Sequence, residues 1–228
     1  MTSNTLSGWT IVFDLDGTLV DTAPDLHLAL NHCLREAGHG EVPFDSVRHM
    51  IGQGAKAMIE KGLAFQNVEL EADQIDALWR SFLTYYEANI CEQSTPFSGM
   101  NETLDALEQA GGRLAVCTNK TQALAETLIA ALQLTDRFGS ICGADAVPHK
   151  KPSGDHIVQA VKRAGGDPHR AIMVGDSQTD EKAARNAGLP FVFVTFGYGP
   201  QPDPRDESIY RISSYGQLEQ AVLSIVTA

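Results

Sequence analysis

"IVFDLDGTLVDT", residues 11–22, sets two aspartates one residue apart where an apolar run gives way to glycine. Crowding like charges beside a buried strand is costly, so the pattern asks for a reason beyond a polar turn. That reason depends on how the other apolar runs end. Residues 10–15, 113–119, 171–176 and 191–197 read as buried parallel strands, with weaker candidates at 137–143 and 210–212. Helical spacing separates them at 100–110, 122–132, 155–164 and 178–187, the last stopped by Gly188 and Pro190. Strands alternating with helices of this length predict an α/β fold, a Rossmann-like, doubly wound and mainly parallel sheet.

Residues 21–95 break the rhythm. No strand is expected there, and helical stretches fall at 25–37, 54–64 and 71–89, with a short one near 46–50. Asp21 or Thr22 is positioned to cap the first, with Pro24 in its opening turn. The turn formers of 94–99 mark the return to the sheet. The expected organisation is a core of residues 1–20 and 94–228 and an inserted helical domain of residues 21–93. Residues 197–207, "GYGPQPDPRDE", read as a polar surface loop.

Composition bounds the partners. A hydrophobic content of 43% and a charged content of 20% suit a soluble globular chain. No apolar run approaches the ~20 residues of a membrane helix. The first residues lack the basic and apolar regions of a secretory signal. Cys33, Cys91, Cys117 and Cys142 form no C-x-x-C pair and read as reduced thiols of a cytoplasmic protein. A net charge of −12 disfavours nucleic acid and anionic membranes. It also means that a site for an anion must gather positive charge locally.

In an open parallel sheet, ligands bind beyond the carboxyl ends of the strands. The predicted strands end in Asp14 and Asp16, in Thr118 and Asn119, and in Asp176, with Asp180 one helical turn on. Lys151 directly precedes Pro152 before the third strand and is chosen over its neighbour Lys150 for that reason. Carboxylates gathered in one crevice need a cation, and hard oxygen donors favour Mg²⁺. A metal-bound acidic cluster beside a lysine suits phosphoryl transfer, and a carboxylate can itself attack phosphorus. Gly17 leaves room for a phosphate beside main-chain N–H groups. There is no Walker-type phosphate loop.

These motifs resemble those of the haloacid dehalogenase-like hydrolase superfamily. "FDLDGTLVDT", "VCTNK", "KKPSGD" and "VGDSQTD" resemble its four motifs, in order. The resemblance implies that Asp14 is the nucleophile and a Mg²⁺ ligand. It implies that Asp16 binds the metal through its main-chain carbonyl while its side chain serves as acid and base. Thr118 and Asn119 would hold phosphoryl oxygens, Lys151 would neutralise charge, Asp176 would complete the metal site and Asp180 would support it. The second aspartate, absent from dehalogenase members, favours phosphate esters.

The helical insertion corresponds to the family's cap. "VRHMIGQGAKAMIEKGL" (47–63) and "YYEANICEQSTPFSGM" (85–100) resemble the phosphoglycolate phosphatase-like branch. On that likeness the expected substrate is 2-phosphoglycolate, with Arg48 gripping its carboxylate and His49 and Lys56 as lesser candidates. Three alternatives stay open: a phosphatase for a sugar phosphate, nucleotide or pyrophosphate, a phosphomutase, and a non-catalytic binding protein. The expected partner is a small phosphate ester, and the chain is expected to be a monomer or homodimer.

Overall fold

The structure is a computed structural model and describes residues 4–227. Its main sheet holds β1 (Thr10–Phe13), β4 (Arg113–Cys117), β5 (Ser140–Cys142), β6 (Ala171–Gly175), β7 (Phe191–Val194) and β8 (Ile209–Ile212). The order is β5-β4-β1-β6-β7-β8, and every neighbouring pair is parallel. Helices α5 (Met100–Gln109), α6 (Gln122–Ala131), α7 (Gly154–Arg163), α8 (Gln178–Ala187) and α9 (Leu218–Val226) flank it. Both weak strand candidates are therefore real, as β5 and β8. The spacing of α9 was not singled out in the sequence.

The strand residues explain the two-sided burial. Side chains alternate across a strand with a period of two. Ile11 and Phe13 of β1, Leu114 and Val116 of β4, and Ile172 and Val174 of β6 enter one apolar cluster, with Leu104 of α5 and Leu128 of α6. Val12, Ala115, Cys117 and Met173 point the other way, against Ile157 and Val161 of α7 and Ala183 of α8. Runs apolar at every position are thus required by a sheet covered on both faces.

Between β2 (Val20–Asp21) and β3 (Thr95–Pro96) the chain forms α1 (Ala23–Glu36), α2 (Phe44–Arg48), α3 (Ala55–Phe65) and α4 (Ala72–Ala88). The sequence reading expected no strand here. β2 and β3 instead pair antiparallel as a two-residue ribbon where the helical segment leaves and rejoins the sheet. So short a pairing leaves no periodic signal. Asp25 ties the same neck from inside, its buried carboxylate accepting from Gln93 N, Ser94 N (2.8 Å) and Ser94 Oγ (2.6 Å). Neither residue expected to cap α1 does so. Asp21 accepts from the Tyr198 hydroxyl, and the Thr22 hydroxyl donates to Asp16, because both are claimed by groups distant in sequence.

Candidate active site

β1 lies between β4 and β6, so the residues that follow these three strands converge at one edge of the sheet. Asp14 follows β1, Thr118 follows β4 and Asp176 follows β6, all three buried. One carboxylate oxygen each from Asp14, Asp176 and Asp180 lies within 4.8 Å of the others. Lys151, 2% exposed, reaches this group from the loop before α7. Its ammonium stands 2.8 Å from Asp14 Oδ1 and 2.6 Å from Asp180 Oδ1. Lys150 does not enter the cluster and faces Gln53 instead.

The electrostatics follow from burial. Asp14 is pushed up to about 8, chiefly by loss of water, then by Asp180 and Asp176 against the opposing pull of Lys151. Asp176 is pushed up to about 7 by burial and Asp180, although the main-chain N–H groups of Tyr198 (2.6 Å) and Gly199 (3.3 Å) favour its anion. Burial works to lower Lys151, but Asp14 and Asp180 outweigh it and hold the ammonium protonated. Three buried carboxylates against one ammonium leave a deficit of positive charge. A divalent cation coordinated by hard oxygens would supply it, so the donor set fits Mg²⁺.

Asp16 turns the other way. Its Oδ1 accepts from Thr22 Oγ1 at 2.7 Å and pairs with Lys120 Nζ at 2.9 Å. Lys120 in turn donates to the Tyr86 hydroxyl of α4 at 3.1 Å. Burial opposes the charge of Lys120, yet Asp16 outweighs it and raises its affinity for the proton. Lys120 is the last residue of "VCTNK", and the sequence assigns it no role. A lysine after a strand end is indistinguishable from a solvated one until its partner is known.

Asp180 does two things at once. Oδ1 holds Lys151, while Oδ2 accepts from Ser177 Oγ at 2.6 Å and Ser177 N at 3.1 Å, closing a capping box at the start of α8. The Thr118 hydroxyl accepts from Lys120 N. Asn119 Nδ2 donates to the carbonyls of Lys151 (3.1 Å) and Gly52 (3.3 Å), binding the loop before α3 to the sheet edge. Gly17 has φ +82°, and a Cβ there would stand 2.5 Å from Asp176 Oδ2, so a side chain cannot be accommodated.

The loop at 197–207 begins inside the site, against expectation. Tyr198 is 4% exposed, and a Cβ on Gly197 would come within 2.2 Å of Asp176 Cβ. The glycines flanking Tyr198 were the available signal. They let the main chain wrap the Asp176 carboxylate.

A cavity of about 410 Å³ opens beside Asp14, Asp16 and Thr118, between the sheet edge and α3, α4 and Gly52–Gly54. Lys56 lines it and is paired with Asp76. Arg48 does not line it; its guanidinium lies over the Tyr198 ring, 5.3 Å from the centroid. His49 is exposed.

His156, fully buried in α7, positions the Lys151 loop: Nδ1 accepts from Lys151 N and Nε2 donates to Cys142 O, both at 3.1 Å. Burial, then the Lys151 charge, lowers its pKa to about 4 from 6.5. Between those values the unfolded chain binds the extra proton, so stability present above pH 6.5 falls as the pH drops to about 4. The loss should reach about 2–3 kcal/mol. Asp14 and Asp176 titrate in the opposite sense over the same range, so the check is a difference: the urea stability of the native chain relative to His156→Gln should fall by this amount between pH 6.5 and about 4.

The family model of haloacid dehalogenase-like hydrolases matches residues 11–194. A phosphoglycolate phosphatase of Caulobacter vibrioides is 44% identical over 227 residues, spanning 100% of this chain and 96% of its own length. The phosphoglycolate phosphatase of Agrobacterium fabrum is 47% identical over 222 residues, or 97% of this chain and 95% of its own. The crystal structure of a predicted phosphoglycolate phosphatase from Haemophilus somnus matches with a TM-score of 0.84 at 30% identity, covering 93% of this chain and 96% of that one. With a nearly full-length likeness in sequence, and a sheet edge that collects the four motifs, the chain belongs to the haloacid dehalogenase-like hydrolase family.

Proposed function

We propose that this chain is a Mg²⁺-dependent phosphatase that hydrolyses 2-phosphoglycolate to glycolate and phosphate through an aspartyl-phosphate. The observation that carries the reading is the division of labour between the two aspartates. Asp14 faces Lys151 and the acidic cluster, whereas Asp16 is held away from it by Thr22 and Lys120. A nucleophile and a separate acid–base group are what a two-step hydrolysis requires. The two relatives above that share 44% and 47% of their residues with the chain carry the name of this activity.

In this reading an Asp14 oxygen attacks phosphorus as the ester oxygen departs, and Asp16 gives that oxygen its proton. Asp16, now ionised, then takes a proton from the water that attacks phosphorus and frees Asp14. Thr118 receives one phosphoryl oxygen through its hydroxyl. Asn119 serves another through its main chain, because its amide already donates to two carbonyls. Lys151 offsets the charge on Asp14 and the phosphate. Asp14, the Asp16 carbonyl and Asp176 would hold Mg²⁺, which supplies charge neutralisation to the phosphoryl group when bound; Asp180 keeps Lys151 in place.

Residues 21–93 act as a cap over this site. Their helices form one side of the cavity, and closing them on the sheet edge would exclude water from the phosphoryl group. No helix among the described residues is long and apolar enough to cross a membrane.

The test is kcat/KM over a panel of phosphomonoesters with and without Mg²⁺. Phosphoglycolate should rank first, and chelation should abolish turnover until Mg²⁺ is restored. A higher value for a sugar phosphate or nucleotide would reassign the substrate. Isomerised product without free phosphate would make the chain a mutase.

A further inference from the structure

Of the lysines lining the cavity, two are already engaged. Lys56 is paired with Asp76, and Lys120 with Asp16. Lys150 lines the same cavity and has no acidic partner among the described residues. Its ammonium donates to the carbonyl of Gln53 at 3.1 Å.

The position matters as much as the free charge. Gly54 has φ +97°, and a Cβ there would stand 3.3 Å from Asn119 O and 3.6 Å from Lys150 Nζ. The ammonium and the Asn119 carbonyl therefore both stand against Gly54, and Asn119 directly follows Thr118, which is proposed to receive the phosphoryl group. Lys151 already faces two carboxylates and has no charge to spare for a second anionic group. Glu60 also lines the cavity, and the chain carries a net charge of −12. A phosphate ester with a second negative group thus meets a repulsive field unless a local cation receives it. Arg48, lying over Tyr198, is not on that wall.

We propose that Lys150 is the specificity-determining residue that receives the carboxylate of the substrate, exchanging the Gln53 carbonyl for it. The ligand class is a phosphate monoester with a carboxylate one carbon from the ester oxygen. This inference rests on the phosphatase reading above. A carboxylate is a stronger partner for an ammonium than an amide carbonyl, because both members of the pair are charged.

The experiment compares phosphoglycolate with 2-hydroxyethyl phosphate, which replaces the carboxylate by a neutral hydroxymethyl group of similar size. The wild-type chain should prefer phosphoglycolate. Lys150→Met should cut that preference roughly ten- to hundredfold, through KM and not kcat, as loss of a charged hydrogen bond does. Lys150→Arg should keep most of it. Lys150 is exposed, so these variants should fold. If the lysine merely tethered the Gln53 loop, Lys150→Met would weaken both esters equally, and the proposal would fail. A preference that survives Lys150→Met, or collapses only in Arg48→Ala, would also overturn it while leaving the substrate reading intact. A wild-type chain with no preference would instead sink the substrate reading, and this inference with it.

Discussion

Asp14→Asn should lose turnover by about ten-thousandfold or more, the scale seen when a group that acts covalently is removed. The same substitution should not destabilise the metal-free protein. Asp14 is raised to about 8 by burial, by Asp180 and by Asp176, with only Lys151 opposing. A group so raised lowers stability as the pH climbs from its unfolded value toward 8, because the folded chain holds on to a proton that the unfolded chain releases. An amide does not ionise and escapes that penalty. The unfolding midpoint at neutral pH without Mg²⁺ should therefore match or exceed that of the native chain. Turnover within a hundredfold of native, in protein free of the parent enzyme, would remove Asp14 as nucleophile. A large fall in midpoint would mean that its contact with Lys151 outweighs the crowding.

Lys151→Met should behave in the opposite way. It removes the ammonium that Asp14 and Asp180 share in a region closed to water. Breaking a buried ion pair from one side typically costs about 3–5 kcal/mol, because the partner charges remain without compensation. Activity should fall as well, by about a hundredfold or more, since charge on the phosphoryl group loses its fixed counter-ion. Adding Asp180→Asn to Lys151→Met separates the two effects. The double variant should recover part of the stability, because one stranded carboxylate is gone, and none of the activity. Urea unfolding and steady-state kinetics on the three proteins check this. A Lys151→Met protein as stable as the native chain would show that the carboxylates simply take up protons when the ammonium is absent.

Most of the order of elements is legible in the sequence. Residues 11–13 and 171–174 are apolar without interruption, and a strand covered on both faces needs that. The same logic found β5 and β8 from shorter runs. The two-residue ribbon β2–β3 escaped it, since two residues carry no period. The α9 helix passed unremarked at the chain's end.

Within the site, the acids were readable because each follows directly on a strand, where a parallel sheet gathers its ligands. Lys151 was readable beside its proline. Lys120 was not, because nothing local marks a lysine as buried, and for Tyr198 the local signal was confined to the glycines on either side of it. Tyr198 sits in what reads as a polar loop, and the groups that hold it, Asp176 at its main-chain N–H and Asp21 and Ala23 at its hydroxyl, are distant in sequence. Arg48 was chosen for its chemistry, which says nothing of where its guanidinium rests.

What the chain's own pattern determined is therefore the class of fold, the place of the acidic residues at strand ends and the helical interruption after the first strand. These are local properties, expressed over spans of five to fifteen residues by periodicity and by the chemistry of strand ends. What the tertiary structure alone decided is the partnering: Lys151 with Asp14 and Asp180, Lys120 with Asp16, Tyr198 with Asp176, Lys150 with the Gln53 carbonyl. Those pairs exist because β1 lies between β4 and β6. Strand order is a property of the packed sheet, and no window of sequence contains it.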